Sequence, residues 1–298
     1  MRTRRHLAAL LTLFAGGSAA PVVPVTFDTG QGPLRLAQSE PGELAWTAAW
    51  ERGAGGLEWT ELRMRGRGEV RRTRVVVARV DPGSFVISLE NGMAPGGLMP
   101  VWTLDRAPAG AALAFNAGMF ANDGAWGWVV HRGQEYRAPR RGPLAAAVIV
   151  DRAGRVRLAG DAEVDSLRAA NRLGGVVEAF QSYPALLREG ELPNLLEVTS
   201  PDIDLEHRDA RLALGVDREG RLLLALTRFD ALGPSLGSVP FGLTIPEMAR
   251  VMRALGANSA VALDGGISAQ LLLRDGGGEV HRWEGFRPVP LGMSVVPK

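Results

Sequence analysis

Short apolar runs separated by glycine dominate the chain from residue 44 onward. The runs at 59–64, 74–80, 85–89, 111–115, 128–130 and 144–149 have the length and composition typical of β-strands. Two further runs, 211–216 and 222–227, flank the polar stretch Asp217-Arg218-Glu219-Gly220, and this arrangement predicts a β-hairpin. Strands therefore make up most of the predicted structure.

One stretch of the sequence carries a clear helix signal. Thr244 can cap a helix, Pro246 and Glu247 suit its first turn, and Gly256 can end it. The apolar positions recur at helical spacing and predict a face that packs on a sheet: Met248, Val251, Met252 and Leu255. A second, shorter helix is predicted at 165–172. The prediction is one α+β domain, with a mixed, mainly antiparallel β-sheet core and a few packed helices.

The first residues have the pattern of a secretory signal peptide. A basic region with Arg2, Arg4 and Arg5 precedes an apolar stretch over 7–14 and small residues up to Ala20. The apolar stretch is shorter than the roughly 20 residues of a spanning helix. We therefore expect a signal peptide over residues 1–20, an irregular lead-in over 21–43 and the folded domain over 44–298. The expected location is periplasmic or extracellular, with no membrane span after signal removal.

Charge and cysteine content exclude several classes of function. The full sequence has a formal net charge of +2. The leader contributes arginines and no acids, so the remainder is close to neutral, and no nucleic-acid partner is predicted. Cysteine is absent, which excludes disulfides, thiolate metal sites and a cysteine nucleophile. The histidines show no metal-binding spacing, so no metal or cofactor is predicted.

The strongest candidate for chemistry follows the apolar run 259–263. That run predicts a buried strand that ends at Asp264, and Gly265 and Gly266 then allow a sharp turn with Ser268 close behind. Backbone N–H groups exposed beside a carboxylate make a pocket for an anionic ligand if other groups supply positive charge.

Two more clusters pair polar side chains with strand ends. Asn116 follows an apolar run, its amide can both donate and accept hydrogen bonds, and Gly118 permits a turn. Gln181 and Ser182 are expected at the start of a strand that Gly190 ends. Taken alone, the first cluster is compatible with an Asx turn and the second with an ordinary strand and turn.

Arginines are the candidate cations. Arg211 heads a strongly apolar strand, and its planar guanidinium can bind two oxygens of a phosphate at once. Arg228, at the far end of the partner strand in the hairpin, is the second candidate. Either arginine alone is equally compatible with a surface position, because charged residues are usually solvated.

Taken together and in order, these clusters resemble the phosphodiester glycosidase family, in its exported bacterial branch. The resemblance covers most of the chain after the leader. It rests on 75–82, 116–120, 181–184, 211–216, 242–244, 263–268 and 287–290.

The resemblance implies an enzyme that cleaves the glycosidic bond of a sugar-1-phosphodiester or phosphoglycan and releases free sugar and a phosphomonoester. It implies that Asp264 acts on the sugar, with Asn116 and Arg211 as further catalytic residues. The implied substrate-binding residues are Gly118, Gln181, Ser182, Arg228, Gly265, Gly266 and Ser268. A phosphate leaving group needs fixed donors more than a general acid, so one carboxylate with two arginines suits the reaction.

Alternatives stay open at this point. The same cleft could belong to a non-catalytic envelope protein that binds a glycan or phosphopolymer, and a structural envelope component without a small ligand is a third interpretation. A divalent cation at Asp264 is possible but not indicated.

Overall fold

The computed structural model describes residues 25–28, 33–36, 50–65, 73–91, 101–170, 172–196, 204–205, 207–229 and 242–298. The predicted signal peptide lies outside these residues. The helices are α1 (Asp161–Ala169) and α2 (Ile245–Ala254). The strands are β1 (Val25–Asp28), β2 (Pro33–Leu36), β3 (Glu51–Arg52), β4 (Glu58–Arg65), β5 (Thr73–Val80), β6 (Phe85–Asn91), β7 (Leu113–Asn116), β8 (Phe120–Ala121), β9 (Gly124–Ala125), β10 (Val129–His131), β11 (Gln134–Arg137), β12 (Ala146–Asp151), β13 (Val156–Ala159), β14 (Val176–Ser182), β15 (Ala185–Leu187), β16 (Leu212–Asp217), β17 (Leu222–Phe229), β18 (Ala257–Leu263), β19 (Leu271–Arg274), β20 (Val280–Trp283) and β21 (Leu291–Pro297).

These strands pair in antiparallel fashion and form three large sheets. The first is nine-stranded, with the order β15-β18-β16-β17-β5-β4-β1-β2 and β3 beside β4. The second has the order β11-β10-β14-β12-β13, and the third has the order β20-β19-β7-β21-β6. A small two-stranded ribbon joins β8 to β9. The α+β prediction is confirmed, and so is the hairpin, because β16 pairs with β17 from Leu212–Leu226 to Val216–Leu222.

The three sheets share one hydrophobic core. Successive side chains of a strand point to opposite faces of its sheet, and in each sheet one of these two sets packs toward the other sheets. The central cluster contains fully buried side chains from all three sheets, among them Val76, Phe115, Phe180, Leu214 and Met293. The sheets are therefore held together by packing between their faces as well as by hydrogen bonds within each sheet.

Helix α2 forms as its sequence predicts and covers the opposite face of the nine-stranded sheet. The Thr244 hydroxyl accepts a hydrogen bond from the Glu247 N–H at 3.3 Å, and the Glu247 carboxylate accepts one from the Thr244 N–H at 2.9 Å. This capping box satisfies donors that the helix cannot satisfy itself. The apolar stripe packs into a second buried cluster with side chains of the sheet: Met248, Val251, Met252, Val75 and Ala213.

Two other predictions need correction. Helix α1 begins at Asp161 rather than at 165, because Asp161 and Glu163 occupy its first turn, where acidic side chains favour a helix N-terminus. The segment 21–43, expected to be irregular, contains β1 and β2, which pair with each other, and β1 also pairs with β4. No helix in the described part of the chain is long and apolar enough to cross a membrane.

Candidate active site

Strand β18 delivers Asp264 to its own carboxyl end, as the sequence predicts. The backbone N–H of Asp264 donates to the Gly118 carbonyl at 2.9 Å, and the Asn116 side-chain amide donates to the Asp264 carbonyl at 2.9 Å. Both backbone groups of Asp264 are thus held by the segment that follows β7, in a different sheet. The structure therefore brings the first two sequence clusters together.

Asn116 acts on the site through the backbone. Its side chain is 1% exposed, and its carbonyl oxygen accepts a hydrogen bond from the Gln270 N–H at 2.9 Å. One amide therefore fixes Asp264 and also the chain beyond the short 3₁₀ turn Gly266–Ser268. This geometry makes Asn116 a positioning residue for Asp264. Its predicted direct contact with substrate stays a prediction.

Asp264 lies in a cleft of about 510 Å³. Two sides of the cleft come from the turn after β18 and from the chain around β8, and the remaining lining residues come from elsewhere in the sequence. The lining residues are Phe120, Ala121, Asn122, Asp209, Asp264, Gly265, Gly266, Ile267, Ser268 and Arg287. The volume is in the usual range for a small-molecule site. The cleft contains four of the predicted site residues: Asp264, Gly265, Gly266 and Ser268.

A second carboxylate, Asp209, faces Asp264 in this cleft, and the sequence analysis assigned it no role. Burial raises the pKa of Asp264 to about 6; a hydrogen bond from Ser268 and the charge of Arg287 oppose the shift, and Asp209 adds to it. Burial also raises the pKa of Asp209, opposed by its hydrogen bond from the Ala210 N–H and by the charge of Arg211. The cleft therefore contains two carboxylates, whereas the sequence alone suggested one.

Close packing between the two sides of the cleft explains why residue 266 is a glycine. A Cβ atom on Gly266 would lie 2.6 Å from the Asp209 carboxylate, and Gly266 has a φ of +55°. The Gly266 N–H donates to the Ala210 carbonyl at 2.8 Å. Because that N–H is already bonded, Gly266 contributes close approach of the turn to Asp209, and its predicted donation to phosphate would need this bond to break.

Arg287 supplies the positive charge of the cleft. It is the cation among the described residues that line the cleft, and its guanidinium carbon lies 4.5 Å from the centroid of the Phe120 ring. A cation over an aromatic face keeps its hydrogen-bond donors free at the edge of the guanidinium plane. The sequence placed Arg287 within the family resemblance but gave it no role.

The two arginines that the sequence favoured lie elsewhere. The Arg211 guanidinium donates to the carbonyls of Leu243 and His207. Arg228 is 4% exposed and donates to the carbonyls of Ala269 at 2.9 Å and Glu284 at 3.3 Å. Neither side chain lines the cleft. Phosphate binding by either arginine stays a prediction, and both side chains are already engaged with backbone.

Gln181 and Ser182 lie at the end of β14, not at the start of a strand, because the apolar residues before them extend the strand back to Val176. Gln181 accepts hydrogen bonds from the Trp128 and Arg140 N–H groups and donates to the Arg140 carbonyl. Ser182 donates to the Ala262 carbonyl at 2.5 Å. The Ser182 bond joins the second sheet to β18, whereas the Gln181 bonds stay beside the second sheet. Substrate binding by either side chain stays a prediction.

Away from the cleft, Asp275, Glu279 and His281 could together hold a metal ion. Their potential ligand atoms lie within 4.8 Å of one another. The Asp275 carboxylate accepts hydrogen bonds from the Gly277 and Glu279 N–H groups, as in an ordinary Asx turn, and contacts His281 at 3.2 Å. This arrangement stabilises the turn between β19 and β20 without an ion.

Comparison with known proteins identifies the family. The family model for phosphodiester glycosidases matches residues 109–296. The chain is similar in structure to the zebrafish N-acetylglucosamine-1-phosphodiester alpha-N-acetylglucosaminidase catalytic domain auto-inhibited by its pro-peptide, with a TM-score of 0.58, 17% identity, and coverage of 93% of this chain and 89% of the zebrafish chain. A hypothetical protein from Synechocystis aligns with a TM-score of 0.49 and 18% identity over 82% of this chain and 62% of that chain. No curated protein matches the sequence. The match over residues 109–296 contains the whole cleft, and the chain belongs to the phosphodiester glycosidase family.

Proposed function

We propose that this chain is an exported hydrolase that cleaves the glycosidic bond of a sugar-1-phosphodiester and releases free sugar and a phosphomonoester. The observation that carries the proposal is the convergence of Asp264, Asp209 and Arg287 in one cleft. The zebrafish relative is named for hydrolysis of an N-acetylglucosamine phosphodiester. The export part of the proposal rests on the signal-peptide pattern of residues 1–20.

The division of charge within the cleft suits this reaction. Two carboxylates stabilise the positive charge that develops on the sugar in the oxocarbenium-like transition state. Arg287 stabilises the negative charge that the departing phosphate acquires. In the proposed reaction, water attacks the anomeric carbon, the bond from that carbon to the phosphate oxygen breaks, and its electron pair leaves with the phosphate. The proton of the attacking water passes to Asp264.

The proton affinity of Asp264 fits the role of base. With a pKa of about 6, the carboxylate is largely ionised at neutral pH, yet it accepts a proton more readily than an exposed aspartate. Asp209, whose carboxylate packs against Gly266 on the other side of the turn, is the proposed electrostatic partner of the developing cation.

The proposal is tested by sugar release from a panel of glycosyl-1-phosphodiesters that differ in sugar and anomeric configuration. The Asp264→Asn variant should lose at least about a thousandfold in kcat, because it removes the base and one stabilising charge. The Arg287→Met variant should lower kcat as well as raise KM, because Arg287 both holds the phosphate and stabilises the charge that it acquires on departure. Asp165→Asn is the matched control, because Asp165 pairs with Arg141 on the surface outside the cleft.

Full turnover by a folded Asp264→Asn variant would contradict the proposal. So would a wild-type protein that binds members of the panel but releases no sugar from any of them, a result that favours the non-catalytic envelope protein. Circular dichroism and a thermal melt of each variant establish that the folds are comparable.

A further inference from the structure

Two large apolar side chains stand exposed beside the cation of the cleft. Phe286 is 66% exposed and directly precedes Arg287 in the sequence, and Ile267 is 44% exposed and lines the cleft. Phe286 lies at the rim, because it is not itself a lining residue but adjoins Arg287 and Ile267, which are. Tyr136 is exposed to a similar degree, but it lies on β11 in another sheet. Exposed apolar side chains that cluster at a site mark a binding surface more often than isolated ones do.

Phe286 and Ile267 are held next to each other by the backbone. The Phe286 N–H donates to the Ile267 carbonyl at 2.7 Å. A Cβ atom on Gly285 would lie 3.1 Å from the Ser268 carbonyl oxygen and 3.2 Å from that of Ile267, so the chain before Phe286 rests directly on the turn after Asp264. The backbone therefore ties the loop that carries Phe286 to the turn that carries Ile267.

Neither side chain offers a hydrogen bond to a ligand. A carbohydrate hydroxyl placed against Phe286 or Ile267 would lose contact with water without a replacement partner, which costs free energy. An alkyl chain in the same place would gain free energy by leaving water. The surface formed by Ile267 and Phe286 therefore favours an alkyl chain over a carbohydrate.

We propose that Ile267 and Phe286 form the subsite for the alcohol of the phosphodiester, and that this alcohol is an aliphatic chain. The inference rests on the proposed function, which places the sugar and the phosphate of the substrate in order along the cleft. With the sugar at Asp264 and the phosphate at Arg287, the second ester oxygen of the phosphate points away from Asp264. The carbon chain that it bears then meets Ile267 and Phe286.

The test compares binding of octyl phosphate, below its aggregation concentration, with binding of methyl phosphate by titration calorimetry. Neither probe contains a sugar, so no hydrolysis is required. Wild type should bind octyl phosphate about tenfold more tightly, because part of the chain is buried on the apolar pair. The double variant Ile267→Ala, Phe286→Ala should bind both probes equally. Tyr136→Ala, which also removes an exposed aromatic ring, should keep the preference.

Equal affinity of the two probes for wild type overturns the subsite, as does binding of neither probe. A preference that survives in the double variant also overturns it. Sugar release from matched octyl and methyl glycosyl phosphates separates the two proposals. Binding with the expected preference but no release contradicts the hydrolase and leaves the subsite in place. Equal sugar release from both esters, without a binding preference between the probes, supports the proposed hydrolase and contradicts the proposed subsite.

Discussion

Burial sets the chemistry of Asp264 at the scale of single residues. The carboxyl group ends a strand whose other residues are largely apolar, and the loss of water raises its pKa to about 6. Arg287 and the Ser268 hydrogen bond limit the shift. A carboxylate in this state binds a proton near the pH at which many enzymes work, which is a common property of catalytic groups.

The first consequence concerns the pH dependence of activity. The value of kcat/KM should fall as pH decreases through about 6, because protonation removes the base. In Arg287→Met the acidic limb should move to higher pH, because the positive charge that lowers the pKa of Asp264 is gone. Kinetics from pH 4 to 8 measure both effects. An acidic limb at the same pH in both proteins would show that a different group titrates.

The second consequence concerns stability. A carboxyl group whose pKa is raised on folding stabilises the fold fully below its unfolded value of 3.8, and this contribution is lost as the pH rises through about 6. The Asp264→Asn variant should therefore be more stable than wild type at pH 7, by about 1–3 kcal/mol. The difference should shrink as the pH falls through about 6 and be lost at pH 3, below the unfolded pKa of 3.8. Denaturant unfolding at both pH values measures it, and a destabilised variant at pH 7 would contradict the role of burial.

The sequence singled out some of the residues that line the cleft and assigned no role to others. Asp264 and its glycines could be predicted because a strand, a carboxylate and a turn are adjacent in the chain. Asp209 and Arg287 belong to segments without such a pattern, and only the folded chain brings them to Asp264. The preference for Arg211 and Arg228 came from their positions on a hairpin, and the sequence gives no sign that backbone carbonyls occupy both guanidinium groups.

Arg228 connects structural elements rather than single residues. It extends from β17 to the carbonyls of Ala269 and Glu284, which lie at the end of the Asp264 turn and at the start of the loop that carries Arg287. Among the described residues its Nε has no hydrogen-bond partner, and burial lowers its pKa to about 10, so it remains a cation. This buried side chain therefore links the turn to the loop, in addition to the hydrogen bond between the Phe286 N–H and the Ile267 carbonyl.

Loss of this connection should weaken substrate binding. We expect Arg228→Met to raise KM about tenfold with a smaller change in kcat, because the loop that presents Arg287 is released. Steady-state kinetics and amide hydrogen exchange over 284–288 measure the effect. Arg274→Met is the control, because Arg274 also binds backbone carbonyls, those of Ala109, Ala111 and Gly278, outside the cleft. Equal effects of the two substitutions would show a general loss of stability.

Helices and strands were predicted best where residues close together in the sequence determine the structure. Helix α2 has its cap, its stripe and its stop within one stretch, and its prediction is confirmed. The end of β14 was mistaken for a strand start because Gln181 and Ser182 are polar, although their polar atoms are satisfied by distant backbone. The β1–β2 hairpin was missed because its register depends on pairing with β4.

For the whole molecule, the predominance of strands could be predicted from the sequence, but their number and their assembly into sheets could not. Neighbours in the first sheet, such as β5 and β17, are far apart in the sequence, and their pairing depends on the shared core. Long-range pairing of this kind leaves no local pattern. The cleft forms where two of these sheets meet, through a hydrogen bond between residues 148 positions apart.

The position of β21 has a consequence for the time at which the cleft can form. This strand, Leu291–Pro297, lies between β6 and β7 in the third sheet. The two earlier strands therefore have no hydrogen-bonding partner between them until β21 has been synthesised. Arg287 directly precedes it. A ribosome that has made the first two hundred residues has therefore produced neither the sheet that holds Asn116 nor the cation of the cleft. The cleft can therefore be complete only after β21 has been synthesised.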